Sequence, residues 1–207
     1  MSIFDDPKGY LNWYKNHKVT YENERQAVDA LDLKDCLDVG SGPSVFHEAL
    51  KGEVISLDIS EFVLKYIDGD RILADAHYLP FRRDAIPCVF SSVTLCFLDN
   101  LEKFFEEANR VTKRTFVSCI VTADSSWGEF YRDLGSRGHK YYSKARFLTR
   151  MEFMNLVKKF FEVERVVTTI DYGPMEEEVP EIPKEWGNGA FMCIKGIKRN
   201  DQFAYPK

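Results

Sequence analysis

No C-x-x-C pair occurs in this sequence: Cys36, Cys88, Cys96, Cys119 and Cys193 stand far apart, most of them in apolar strand-like runs such as "FVSCIV" and "FMCIKG". Without the spacing of a zinc ribbon or a redox motif they read as free, buried thiols. Histidine is scarce as well, and His17, His47, His77 and His139 form no H-E-x-x-H or clustered Cys/His pattern, so no metal site is expected. There is no run of about 18 apolar residues, and "MSIFDDPKGY" has no basic region ahead of an apolar stretch. Both absences point away from membrane spanning and secretion and toward the cytoplasm. Basic charge is in deficit, 28 Lys plus Arg against 33 Asp plus Glu, which removes the electrostatic footprint of a nucleic-acid binder. Internal repeats are missing too, and the only biased tract is the three glutamates 176–178.

What is present is a 207-residue chain with enough apolar and aromatic side chains for one self-sufficient core. Residues 20–31 carry helical spacing at Ala27, Val28 and Leu31 behind Thr20 as a candidate N-cap, and the aromatic segment "YLNWYKNH" precedes them. Short apolar runs then alternate with helical ones. Strands are expected at 35–39, 53–57, 71–73, 86–91 and 114–121, and helices near 44–50, 60–66 and 100–112, the rhythm of a parallel sheet covered by helices. Residues 122–148 break that rhythm with a polar, tyrosine-rich stretch of the length expected of a lid loop. A capping box, Thr149 with Glu152, opens a further helix. The β-rich runs "FEVERVVTTIDY" and "GAFMCIKGIK" follow, joined without a helix and so antiparallel. We read a single domain: a helical cap (1–31), a binding half (32–121), the lid (122–148) and a C-terminal helix with strands (149–207).

The stretch "LDVGSGPS", residues 37–44, runs an apolar strand into two close glycines with Asp38 just ahead of them. Ligands of parallel α/β sheets bind at the carboxyl ends of strands, which makes this turn the first place to look. The dinucleotide fingerprint G-x-G-x-x-G fails here, since Val45 holds the third glycine position and Pro43 removes an N–H that would face a pyrophosphate. A ligand with an amino-acid ammonium fits better. Asp38 would meet the cation while Gly40 and Gly42 let the backbone approach closely; the simpler alternative is that Asp38 caps the next helix. In "VISLDIS", Asp58 ends the second strand eighteen residues after Gly40, where a carboxylate accepts from vicinal ribose hydroxyls. In "LADAHYLPF", Asp75 and Ala76 follow a third strand. That third acidic strand end suits an adenine amino group and is no part of the dinucleotide fingerprint. S-adenosylmethionine carries all three groups and no phosphate.

These motifs, with "VFSSVTLCFLDN" as a fourth strand and its edge, resemble those of the class I S-adenosylmethionine-dependent methyltransferases, in particular the small-molecule branch with the methyltransferase type 11 domain. The resemblance covers nearly the whole chain. It implies an α/β, Rossmann-like fold with a mostly parallel seven-stranded sheet, an antiparallel last strand and helices on both faces. It also implies transfer of a methyl group from S-adenosylmethionine to a small organic acceptor by in-line displacement, in a monomer or homodimer without nucleic-acid or membrane partners. Asp38, Gly40, Ser41 and Gly42 would hold the methionine portion, Asp58 and Ile59 the ribose, and Asp75 and Ala76 the adenine, with Ser91 and Ser92 flanking the cofactor. Tyr10, Trp13 and Tyr14 would stand near the mouth, with ordinary packing on the sheet as the alternative. Thr94, Tyr141 and Tyr142 would complete the acceptor pocket.

Two departures from the family pattern stand out. Ser44 replaces a glycine, and Cys96-Phe97 stands where many relatives show a histidine pair, so the resemblance transfers no catalytic base. Thr94, Cys96, His139, Tyr141, Tyr142 and Tyr172 are candidates, each with a plain structural alternative. Arg137, His139, Lys140, Lys144, Arg146 and Arg150 form either a face toward an acidic substrate or a solvated basic surface. Two rival readings stay open: a module that binds S-adenosylmethionine without turning it over, and a nicotinamide-dependent reductase.

Overall fold

Near-continuous buried runs set the central strands, as in a sheet covered on both faces, and their order sets the site. The computed structural model describes residues 7–199. Helices α1 (Pro7–Asn16) and α2 (Lys18–Asp29) lead into β1 (Leu33–Val39), β2 (Leu50–Asp58), the short α3 (Glu61–Leu64), β3 (Arg71–Leu73) and β4 (Ile86–Ser92). Then follow α4 (Leu101–Val111), β5 (Thr112–Val121), α5 (Ser126–Ser136), α6 (Arg150–Phe160), β6 (Phe161–Thr169), β7 (Lys184–Glu185) and β8 (Phe191–Lys198). One sheet holds all eight strands in the order β3-β2-β1-β4-β5-β8-β6-β7. β1 to β5 run parallel, and β8 inserts antiparallel between β5 and β6. The chain order reverses between β1 and β4, the crevice where such sheets bind ligands.

Successive strand residues point to opposite faces, and each face has its own core. Cys36, Phe90, Val117 and Phe191 pack with Ala27 and Val28 of α2, Leu31 just beyond it, and Trp127 and Tyr131 of α5. Leu37, Val39, Val89 and Phe116 pack with Phe104, Phe105, Ala108 and Val111 of α4 and Phe153 and Val157 of α6. Phe116 and Phe161 stack with ring centroids 4.5 Å apart. Each such ring, fully buried, contributes about 1.5–3 kcal/mol. Thr149 and Glu152 close the capping box of α6.

Several expectations are corrected. The sheet has eight strands, not seven, because Lys184 and Glu185 add an edge pairing to β6 too short to leave a hydrophobic period. The helix expected over 44–50 is only a 3-10 turn at His47–Ala49: Ser44 sits at φ +61, which no right-handed helix can include, and β2 begins at Leu50. Thr20 lies inside α2 rather than capping it, and its hydroxyl meets the Tyr172 hydroxyl at 2.7 Å. The expected lid loop contains α5, N-capped by Ser125, whose Trp127 and Tyr131 are buried. The cysteines are not all free thiols either, since Cys36 pairs with Cys88 and Cys119 with Cys193 as disulfides, leaving Cys96. Each pair faces in register across neighbouring strands. Separations of 52 and 74 residues conceal a pairing that exists only once the strand order is known.

Candidate functional site

The carboxyl ends of β1, β2 and β4 and the segment after β3 open onto a cavity of about 400 Å³, within the range of about 300–1,000 Å³ typical of small-molecule sites. Its floor is the turn after β1. Gly40 and Gly42 take positive φ, and a Cβ on Gly40 would lie 2.3 Å from Thr94 Cγ2. Ser44 also takes positive φ, at a cost of about 1–2 kcal/mol for a residue with a Cβ. Every N–H of this turn has an acceptor within the fold. Gly40 and Ser41 donate to the Leu57 carbonyl, Gly42 to Asp58 and Ser44 to the Ser41 carbonyl, and Pro43 has no N–H. A pyrophosphate would find no free donors here, which argues against a dinucleotide.

Carboxylates offer the opposite chemistry. Asp38 ends β1 almost wholly buried, and its nearest cation-forming neighbour is His47, with Nε2 3.2 Å from Oδ2. Burial pushes its carboxyl above the ordinary range, against the pull of His47. Nothing here caps a helix through Asp38. Such a carboxylate would be stabilised by an ammonium arriving in the cavity. Asp58 accepts from Gly42 N–H at 2.9 Å and Ser60 N–H at 2.8 Å, and burial likewise raises it against these backbone bonds. Each of its oxygens keeps lone-pair capacity for a diol. Asp75 accepts from His77 N–H at 2.8 Å and lies 2.7 Å from His77 Nδ1, which fixes the direction of its carboxyl.

Less visible residues hold these groups in place. Glu107 of α4 accepts from Leu79 N–H at 2.9 Å, and Arg110 donates to the carbonyls of Leu79 and Phe81, tying the Leu79-Pro80-Phe81 turn beside Asp75 to α4. Thr94 donates to the carbonyls of Gly40 and Ser92. It thus clamps the glycine turn, and its proton is already committed. Sequence reading passed over His47, His77, Glu107 and Arg110. The available signal was spacing on α4, where Glu107 and Arg110 form an i,i+3 pair on a helix otherwise apolar toward the sheet.

Of the residues singled out in sequence, the cavity brings together Asp38, Gly40, Ser41, Gly42, Asp58, Ile59, Asp75, Ala76, Ser92, Tyr10, Thr94, Tyr141 and Tyr142. Ser91, Trp13 and Tyr14 do not line it. Ser91 is fully buried, Trp13 stacks on His17, and Tyr14 lies behind Tyr10, hydroxyl to hydroxyl at 3.2 Å. His77, Phe97 and Leu98 join the lining, and His47 meets Asp38 without lining the cavity itself. The Ser92 hydroxyl on this wall is buried and lacks a partner among the described residues.

Among the candidate bases, Cys96 has its thiol pushed up to about 12 by burial, and Tyr172 is bonded to Thr20 and Asn23 away from the cavity. His139 stacks on Tyr142. In the basic set, Arg137 pairs with Asp133, and Arg150 donates to the carbonyls of Asn188 and Gly189. Among the described residues no group of three or more His, Cys, Asp or Glu is placed to hold a metal, and no helix is long and apolar enough to cross a membrane.

Residues 37–115 match the family model described as a methyltransferase domain. An uncharacterized protein of Methanocaldococcus jannaschii is 27% identical over 206 residues, 96% of this chain and 100% of its own length. A crystal structure from Thermotoga maritima, described as a SAM-dependent methyltransferase and possible histamine N-methyltransferase, superposes with a TM-score of 0.86 at 29% identity, covering 95% of this chain and 98% of that one. A putative methyltransferase of Bacillus halodurans shares the fold at 17% identity and a TM-score of 0.63, over 86% of this chain and all of its own. The matched segment contains all three acidic strand ends and the glycine turn that faces them. Residues 37–115 are thus similar to the methyltransferase domain family, and the chain as a whole has the fold of the class I S-adenosylmethionine-dependent methyltransferases.

Proposed function

We propose that this protein transfers the methyl group of S-adenosylmethionine to a small organic acceptor enclosed beneath α1 and the segment carrying Tyr141 and Tyr142. The observation that carries the reading is the set of three carboxylates, Asp38, Asp58 and Asp75, at the edge of one cavity whose glycine turn has no N–H left for a phosphate. Asp38 would hold the ammonium, Asp58 the ribose diol, and Asp75 with Ala76 the adenine; the buried, partnerless Ser92 hydroxyl is available along the same wall. When bound, S-adenosylmethionine supplies an electrophilic methyl on a sulfonium, already an excellent leaving group.

The chain's own task is alignment and exclusion of water. Tyr10, Phe97, Tyr141 and Tyr142 form an aromatic rim on the cavity, and holding an acceptor there at near-attack distance is worth roughly 7–11 kcal/mol. A cavity of about 400 Å³ and a net charge of −5 favour a small molecule over an RNA chain. The relative from Thermotoga maritima, described as a possible histamine N-methyltransferase, makes small amines the first acceptors to try. Thermal unfolding with S-adenosylhomocysteine, S-adenosylmethionine and NADH in parallel tests the reading, because a specific ligand raises the midpoint by mass action. Stabilisation by NADH alone would overturn it. Binding of S-adenosylmethionine with no labelled-methyl transfer to any metabolite fraction would favour the non-catalytic module.

A further inference from the structure

The buried face of α2 is not wholly apolar. Thr20, Asn23 and Glu24 continue the stripe of Ala27 and Val28, and Glu24 is only 3% exposed. Its Oε2 has no hydrogen-bond partner among the described residues. Tyr14 acts on the Glu24 carboxyl, holding it down against burial, the Tyr10 hydroxyl lies 3.2 Å from that of Tyr14, and Tyr10 lines the cavity. A carboxyl set among tyrosines with no cation beside it is costly to bury, and packing alone would be served as well by an apolar residue.

We propose that Glu24 accepts, through the hydroxyls of Tyr14 and Tyr10, the proton that an amine acceptor releases when it is methylated. This rests on the methyltransferase reading above and narrows its acceptor to nitrogen. The neutral amine gives its lone pair to the methyl carbon, the carbon–sulfur bond breaks, and its electrons stay on sulfur. The methylated nitrogen passes its extra proton to the Tyr10 oxygen, Tyr10 passes its own to Tyr14, and Tyr14 passes its own to the carboxylate. Both tyrosines end neutral, and Glu24 returns the proton to water when the products leave.

The titratable groups that interact with Glu24 are Tyr10 and Tyr14 of α1, Tyr21 of α2, Tyr131 of α5, Tyr142, and Glu178, which is itself paired with His17. Burial, opposed by Tyr14 and reinforced by the charge of Glu178, pushes the Glu24 carboxyl up to about 8. At pH 7 roughly one molecule in ten then carries the ionised, accepting form, and the fraction grows toward unity by about pH 9.

The test compares wild type with E24Q and Y10F on a panel of aryl, imidazole and alkyl amines, after S-adenosylhomocysteine binding is measured for each protein. The amine's own ionisation cancels in the rate ratio of wild type to variant. That ratio is expected to climb from near 1 at about pH 6 to about 100 above about pH 9, with S-adenosylhomocysteine affinity unchanged. Infrared difference spectra, which need no turnover, should show a protonated-carboxyl band lost near pH 8 in wild type and absent from E24Q. A pH-independent ratio, or no methylation of any amine by a protein that binds S-adenosylhomocysteine, overturns the relay and leaves the methyltransferase reading standing. Failure of wild type to bind S-adenosylhomocysteine sinks both.

Discussion

Replacing Gly40 by alanine should damage the turn through one identifiable neighbour. At φ +70 an alanine pays about 1–2 kcal/mol for the left-handed backbone alone. Its Cβ would also sit 2.3 Å from Thr94 Cγ2 and 2.5 Å from Oγ1, so Thr94 must swing away and give up its bonds to the Gly40 and Ser92 carbonyls. Losing those bonds adds about 0.5–1.5 kcal/mol, for a total of about 1.5–3.5 kcal/mol. In a domain of this size that lowers the melting midpoint by roughly 5–10 °C. A double-mutant cycle with Thr94→Ala isolates the cause. Thr94→Ala has already removed Cγ2, Oγ1 and both bonds, so Gly40→Ala in that background should cost only the backbone component and the contact with the remaining Cβ. The coupling, from urea unfolding of all four proteins, is expected at about 1 kcal/mol in favour of the double mutant. Strict additivity would refute the assignment of Thr94 as the clamp.

Asp58→Asn keeps the shape but loses a charged acceptor for the sugar, and calorimetric titration should show S-adenosylhomocysteine binding weakened about 10- to 100-fold. Thr149→Ala opens the capping box of α6, a helix that contributes no residue to the cavity; unfolding should become easier by about 1 kcal/mol with cofactor affinity intact. Glu24 gives a stability signature with a definite sign. Its folded carboxyl titrates near 8 against an ordinary 4.5, so the folded state binds more protons between those values and stability falls as pH rises through that window. Melting curves should therefore decline from about pH 5 to about pH 9 in wild type and decline less in E24Q, the difference amounting to a few kcal/mol at most. Equal slopes would mean that Glu24 ionises freely.

Strand ends were legible in the sequence because each combines a short apolar run with an abrupt carboxylate, a local signal. The parallel half of the sheet followed from alternation, and the α6 capping box from two residues three apart. What stayed hidden depends on distant partners. The disulfides require β1 beside β4 and β5 beside β8, which no window of sequence reveals. Ser44 looked like a helix opening until its positive φ ended that helix at a single turn. Thr94 looked like a pocket hydroxyl, yet its proton serves the backbone. Glu24 was hidden by the habit of assigning charged helix residues to solvent, although its spacing from Ala27, Val28 and Leu31 places it on the inward face.

The insertion of β8 between β5 and β6 governs the order in which the molecule can be assembled. Residues 161–169 have no sheet neighbour among the first five strands, and reach them solely across a segment made at positions 191–198. At a synthesis rate of about 5–20 residues per second, the nascent chain carries an open flank on β5 until residues 191–198 clear the ribosome. Removing residues 191–198 would therefore detach β6 and β7 from the rest of the sheet as well.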